Sequence, residues 1–124
     1  MEKSINEILV IINEQFLLNL ISVVGIDDED LLLGGDEYGI SWNIMTQNIR
    51  IYYNGLQIVF LSKLNIKNEY SEVDLFQYNK LLKNLISITD DETLDEIQRA
   101  LQKYIVFERF EDAQKLKNFL DLFN

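Results

Sequence analysis

Asn54-Gly55 lies between two runs of apolar residues, and it limits the folding of this chain more than any other short feature. A type I′ turn needs positive φ at both central positions, which Asn and Gly tolerate. The dipeptide therefore joins two antiparallel strands. Upstream, Ile49, Ile51 and Tyr53 alternate with Arg50 and Tyr52. Before them, Ile40, Trp42 and Ile44 alternate with Ser41 and Asn43, and Met45-Thr46-Gln47-Asn48 supplies a turn. Alternation of period two gives a sheet with one buried face. The expectation is a three-stranded antiparallel meander over residues 39–62. Its third strand, 56–61, contains the nearly continuous run Ile58-Val59-Phe60-Leu61. Two readings stay open for that strand: cover on both faces, or a second face used for interaction.

Helical patterns flank the meander. Over residues 4–24, Ile5, Ile8, Leu9, Ile12, Phe16, Leu20 and Val23 follow the i, i+3, i+4 spacing of one buried helix face. Ser4 and Glu7 form a capping box at its start, and Gly25 is placed to end it. Leu31-Leu32-Leu33 can make a short strand before the turn signal Gly34-Gly35. After a polar connection at 63–70, a helix is predicted over 71–87, with Ser71 as cap and Asp74 as the acidic residue three positions on. Thr89 and Glu92 form another capping box, opening a helix from about 90 to 107 with Leu94, Ile97, Leu101, Tyr104 and Ile105 as its stripe. A last helix, 110–123, carries Phe110, Ala113, Leu116, Leu120 and Phe123 on one face. The predicted class is α+β: an N-terminal helix, the three-stranded meander, and three C-terminal helices ending in an antiparallel helical hairpin. Its 124 residues fit a single domain, 1–124. Within it, 1–89 carries helix, meander and helix, and 90–124 carries the hairpin.

Composition removes several chemistries. The chain has no Cys and no His. Thiolate nucleophiles, iron–sulfur clusters, imidazole bases and ordinary zinc sites are therefore excluded. Ser41 lacks both the second Gly of a nucleophile elbow and a His to activate it. No phosphate-binding Gly-Lys-Ser/Thr follows Gly34-Gly35. The acidic residues around Leu32 fail the EF-hand pattern, because Leu32 occupies a position that needs an oxygen ligand. No catalytic residue, metal site or cofactor is assigned. The groups left for acid–base chemistry are carboxylates, Tyr, Lys and the amino terminus, and a carboxylate-dependent hydrolase stays open as the enzymatic alternative.

The net charge of −10 is unevenly spread. Through residue 37 there are nine acids against Lys3 alone. Asp27, Asp28, Glu29, Asp30, Asp36 and Glu37 form the densest part. Such a field repels nucleic acid and anionic membranes and favours a basic protein surface. Met1-Glu2-Lys3 is not a basic leader, and a cytoplasmic location is expected. Strand aromatics Tyr38, Trp42, Tyr52 and Tyr53 read as packing, since Arg50 is the only base between Lys3 and Lys63. Where the face bearing Arg50 and the tyrosines is open, it would make an interface centre.

The segment Phe110-Glu111-Asp112-Ala113-Gln114-Lys115-Leu116-Lys117-Asn118-Phe119-Leu120, with Leu94 to Ile105 before it, resembles the UVR motif over about residues 90–122. That motif is a helical hairpin of bacterial excision-repair subunits and of Clp-type ATPase adaptors. Phe110, Glu111, Ala113, Leu116 and Leu120 carry the likeness. Gln114 and Lys117-Asn118 depart from the motif's second Ala and its Arg-Asp. Lys117 keeps the charge without the guanidinium fork. The resemblance implies an adaptor role towards a repair complex or an AAA+ ATPase.

Read from residues alone, Phe110 stands at the mouth of the hairpin, packing on Tyr104 or Phe107. The small Ala113 allows close helix approach. Glu111 sits near a helix N-terminus, where a carboxylate is stabilised.

The expected function is a non-enzymatic protein-interaction module or adaptor, acting through Phe107, Phe110, Glu111 and Lys117 and through the acidic residues 27–37. The expected partner is a protein with a basic surface, with no direct nucleic acid and no membrane. A homo-oligomer stays open. The alternatives are a phage-type antagonist that blocks a nucleic-acid enzyme by acidic mimicry, and a structural assembly component.

Overall fold

Ser4 caps the first helix, α1 (Ile5–Leu17), its Oγ accepting the Glu7 N–H at 3.2 Å. The computed structural model from which this geometry is taken describes residues 3–62 and 74–124. Ile8, Leu9, Ile12 and Phe16 are buried along one face of α1, as their spacing requires. The helix ends at Leu17, short of the predicted end at 24. Asn19 adopts φ 60°, the Leu20 N–H reaches the Gln15 carbonyl at 2.8 Å, and the Asn19 N–H reaches Phe16 at 3.0 Å. This is a Schellman stop with Asn in place of the usual Gly.

The next segment is a strand. β1 (Ser22–Asp27) pairs antiparallel with β2 (Asp30–Gly34). By spacing alone, Leu20 and Val23 extend the helical stripe of α1. Ile21, Val23, Val24 and Ile26 are β-branched, however, and suit a pleated surface better. Gly25, expected to cap a helix, lies inside β1 beside a bulge. Val23 pairs with Leu33 and Gly25 with Leu32, leaving Val24 as the extra residue.

β3 (Tyr38–Asn43), β4 (Ile49–Tyr53) and β5 (Leu56–Leu61) complete a sheet of order β1-β2-β3-β4-β5, antiparallel throughout. The class is α+β, but the three-stranded meander is corrected to five strands, because β1 and the Leu31-Leu32-Leu33 segment join its near edge. Asn54 at φ 51° and Gly55 at φ 83° form the two-residue turn that their sequence requires. A second bulge lies at Ile58, between the pairs Ile51–Val59 and Tyr52–Gln57.

The register explains the burial. Leu31, Trp42, Ile49 and Leu61 form one cross-strand row, and Leu33, Ile40, Ile51 and Val59 the next. All eight are buried and belong to one core with α1 and the C-terminal helices. The opposite face carries the rows Leu32, Ser41, Arg50, Phe60 and Gly34, Gly39, Tyr52, Gln57. On β5, Gln57 and Phe60 of this face are exposed, as is Ile58 at the bulge, so that strand is covered on one face by the described residues.

α2 (Leu75–Ile88) begins later than predicted, and Asp74 is its N-cap rather than its third residue, accepting the Phe76 N–H at 2.9 Å. Ser71 and the connection at 63–70 lie outside the described residues. α2 is tied to α1 through the buried Asn13. The Asn13 amide donates to the Gln77 backbone carbonyl and side-chain oxygen, each at 3.1 Å, and accepts from Asn84 at 3.0 Å.

α3 (Asp91–Val106) is capped by Asp90, which accepts the Thr93 N–H at 2.8 Å. The box expected from Thr89 and Glu92 is displaced by one residue, since the Thr89 hydroxyl already donates to the Leu85 carbonyl at 2.7 Å. α4 (Phe110–Leu120) continues into a short 3₁₀ turn, Asp121–Phe123. Phe119 drives an edge into Trp42, ring centroids 4.7 Å apart, and both are fully buried. This contact locks the last helix onto the inner face of the sheet.

Candidate functional site

α3 and α4 pack against each other and are joined by three residues, Phe107 to Arg109. Glu108 takes φ 60°, and the Arg109 N–H reaches the Tyr104 carbonyl at 2.8 Å, a second Schellman stop. The tight turn leaves little length for burial at the tip. Val106 is 75% exposed, Phe107 65% and Phe110 63%. Among the described residues Phe110 makes no ring contact with Phe107 or with Tyr104, the two partners expected at the hairpin mouth. Arg109 takes that place on Tyr104, its guanidinium 4.6 Å from the ring centre. The same group pairs with Asp112 at 2.6 Å. Arg109 thus lies folded over Tyr104 while still exposed, and Phe107 and Phe110 face water beside it.

Glu111 is exposed in the first turn of α4, beside the tip. Lys117 lies in its last turn, about 9 Å further along at 1.5 Å per residue. The structure brings Phe107, Phe110 and Glu111 together and leaves Lys117 apart from them.

The acidic residues divide in the same way. Asp27, Asp28, Glu29 and Asp30 make the β1–β2 turn, with Asp28 at φ 54°. Asp36 and Glu37 make the β2–β3 turn at the other end of β2, about 13 Å away at 3.3 Å per residue. The β1–β2 turn is held firmly. Asn43 donates to Asp30 at 2.9 Å, and the Ile44 N–H reaches the Glu29 carbonyl at 2.7 Å.

Those bonds tie the turn to the end of β3, and a cavity of about 130 Å³ lies between the turn and α3. Ile26, Ile44, Ile97 and Leu116 form apolar walls, and the exposed acidic residues Asp28, Glu29 and Glu96 also line it. Glu96 and Ala100 also line a shallow groove of about 550 Å³ that runs along α3 to Val106 and Phe107. Cavity, groove and tip are therefore one surface. Among the described residues, no three acidic groups converge closely enough to hold a metal ion.

The sequence pattern singles out the two ends of this surface, Asp28-Glu29 and Phe107-Phe110. It misses the middle. Glu96 precedes the buried Ile97, and its spacing resembles that of any solvated helical acid.

The aromatic strand residues separate by face. Tyr38 and Trp42 are buried, and Tyr53 tilts against Tyr38 at 5.1 Å. Tyr52 shares the opposite face with Arg50, which lies 5.1 Å from the Phe60 ring centre.

Comparisons with protein-family models, with curated proteins and with solved structures give no match. Among the described residues, no helix is long and apolar enough to cross a membrane.

Proposed function

We propose that this protein is a non-enzymatic interaction module that holds a partner protein along the α3–α4 hairpin. The observation that carries this reading is the exposed apolar group Val106, Phe107 and Phe110, joined by a groove to the acid-lined cavity. Exposed aromatics beside a polar rim are the usual centre of a protein interface. The UVR resemblance supports an adaptor role in particular, with an AAA+ ATPase or a repair subunit as partner. Phe110 and Glu111 would present the binding surface, and Ala113 and Leu116, both buried, would hold the hairpin.

Acidic mimicry of nucleic acid has less support, because the six acids stand on two turns at opposite ends of β2.

Removing residues 90–124 would expose Trp42 and unfold the sheet, so the test uses point changes. Wild type and the F107A/F110A double variant are immobilised, and proteins retained from lysate at high salt are identified. A partner held by wild type and lost by the folded double variant supports the reading. Equal retention by both would overturn it.

A further inference from the structure

The cavity between the β1–β2 turn and α3 has a shape and charge that select its occupant. At about 130 Å³ it falls below the roughly 300–1,000 Å³ of small-molecule sites, and suits a single side chain. Its walls, Ile26, Ile97 and Leu116, are apolar. Three acidic residues, Asp28, Glu29 and Glu96, line it from two separate elements, all of them exposed, and among the described residues no cation lines it. A neutral apolar occupant would leave these charges partly desolvated without compensation. A bare metal ion would need ligands that converge, and they do not. A long side chain with an apolar stem and a charged head satisfies both parts.

We propose that this cavity receives a lysine or arginine side chain of a partner protein. The stem lies on Ile26, Ile97 and Leu116, and the cationic head meets Asp28, Glu29 and Glu96 at the mouth. The Glu29–Ile44 and Asp30–Asn43 bonds hold the site ready before binding. The proposal rests on the interaction-module reading, and it supplies a charge-specific anchor beside the apolar tip.

The test titrates the full-length protein with blocked lysine and arginine amides, and with blocked norleucine amide as the uncharged match. Methyl signals of Ile26, Ile97 and Ala100 are followed by NMR. The basic amides are expected to shift these signals saturably at millimolar concentration, more weakly as salt rises. Each of the changes E96Q and E29Q is expected to weaken binding up to about fivefold. A100L is expected to block the cavity and abolish the shifts, with the Trp42 emission confirming the fold. Equal binding of norleucine amide, or shifts unchanged in E96Q and A100L, would overturn the proposal. Phe107 and Phe110 are intact throughout. Failure here with loss of the partner in F107A/F110A rejects the anchor alone, and the reverse pattern rejects the tip alone.

Discussion

The Arg109 guanidinium lies 4.6 Å from the centre of the Tyr104 ring. Arg109 is the second residue past the α3 cap, and Tyr104 lies in the last turn of that helix, where the Arg109 N–H also meets its carbonyl. Backbone stop and side-chain stacking therefore reinforce each other. An exposed cation–π contact and an exposed ion pair each contribute up to about 1 kcal/mol. Arg109→Ala is expected to lower stability by about 1 kcal/mol in urea denaturation. Arg109→Lys should fall between, since the ammonium keeps the charge and loses the planar stack.

Glu108 occupies a left-handed position, φ 60°, that disfavours a side chain. Glu108→Gly is expected to stabilise the protein by roughly 0.5–1 kcal/mol, read as a higher urea midpoint at unchanged slope. A fall in the midpoint would mean that the Glu side chain makes a stabilising contact at the tip.

Asn13 is 2% exposed and bridges α1 to Gln77 and Asn84 of α2. Asn13→Ala leaves the Asn84 amide without its acceptor inside the helix pair, and is expected to cost about 2–3 kcal/mol. A double-mutant cycle with Asn84→Ala should show coupling of about 0.5–3 kcal/mol, and additive effects would sink the bridging role.

Phe119→Ala removes the ring that packs edge-on against Trp42. The expected loss is about 3–5 kcal/mol. Trp42 is the sole tryptophan, so its fluorescence reports the unfolding without added label.

Asp90 has its carboxyl held below the ordinary carboxylate range, first by the Thr93 side chain and then by the Thr93 backbone N–H. A lowered folded-state pKa contributes stability above the unfolded value. That contribution is lost as the pH falls through the folded value. The window lies below about pH 4. Asp90→Asn keeps an acceptor at the cap and should flatten the acid limb of the stability curve. Asp90→Ala should lower the thermal midpoint at neutral pH as well.

Much of the local structure was legible because it depends on neighbours in sequence. Ser4 meets Glu7, Asn54-Gly55 reverses the chain, and the stripe of Ile97 and Leu101 is buried. Where two local codes overlapped, reading by period misled. Leu20 and Val23 fit the helix of α1, yet the left-handed Asn19 ends it and β2 captures the next segment. The shift from Thr89 to Asp90 as cap has a similar cause, because a carbonyl of the preceding helix takes the Thr89 hydroxyl.

By itself, the sequence determined the α+β class, the hairpin turn, the helical spacing of the C-terminal segments and the acidic excess. Each depends on residue type and on separations of a few positions. Only the tertiary structure decided that the sheet has five strands, that 27–30 and 36–37 part company, and that Glu96 joins Asp28 and Glu29 around one cavity. The cavity in particular requires residues more than sixty positions apart to meet. Strand pairing and burial in a common core bring them together, and no local spacing encodes that meeting.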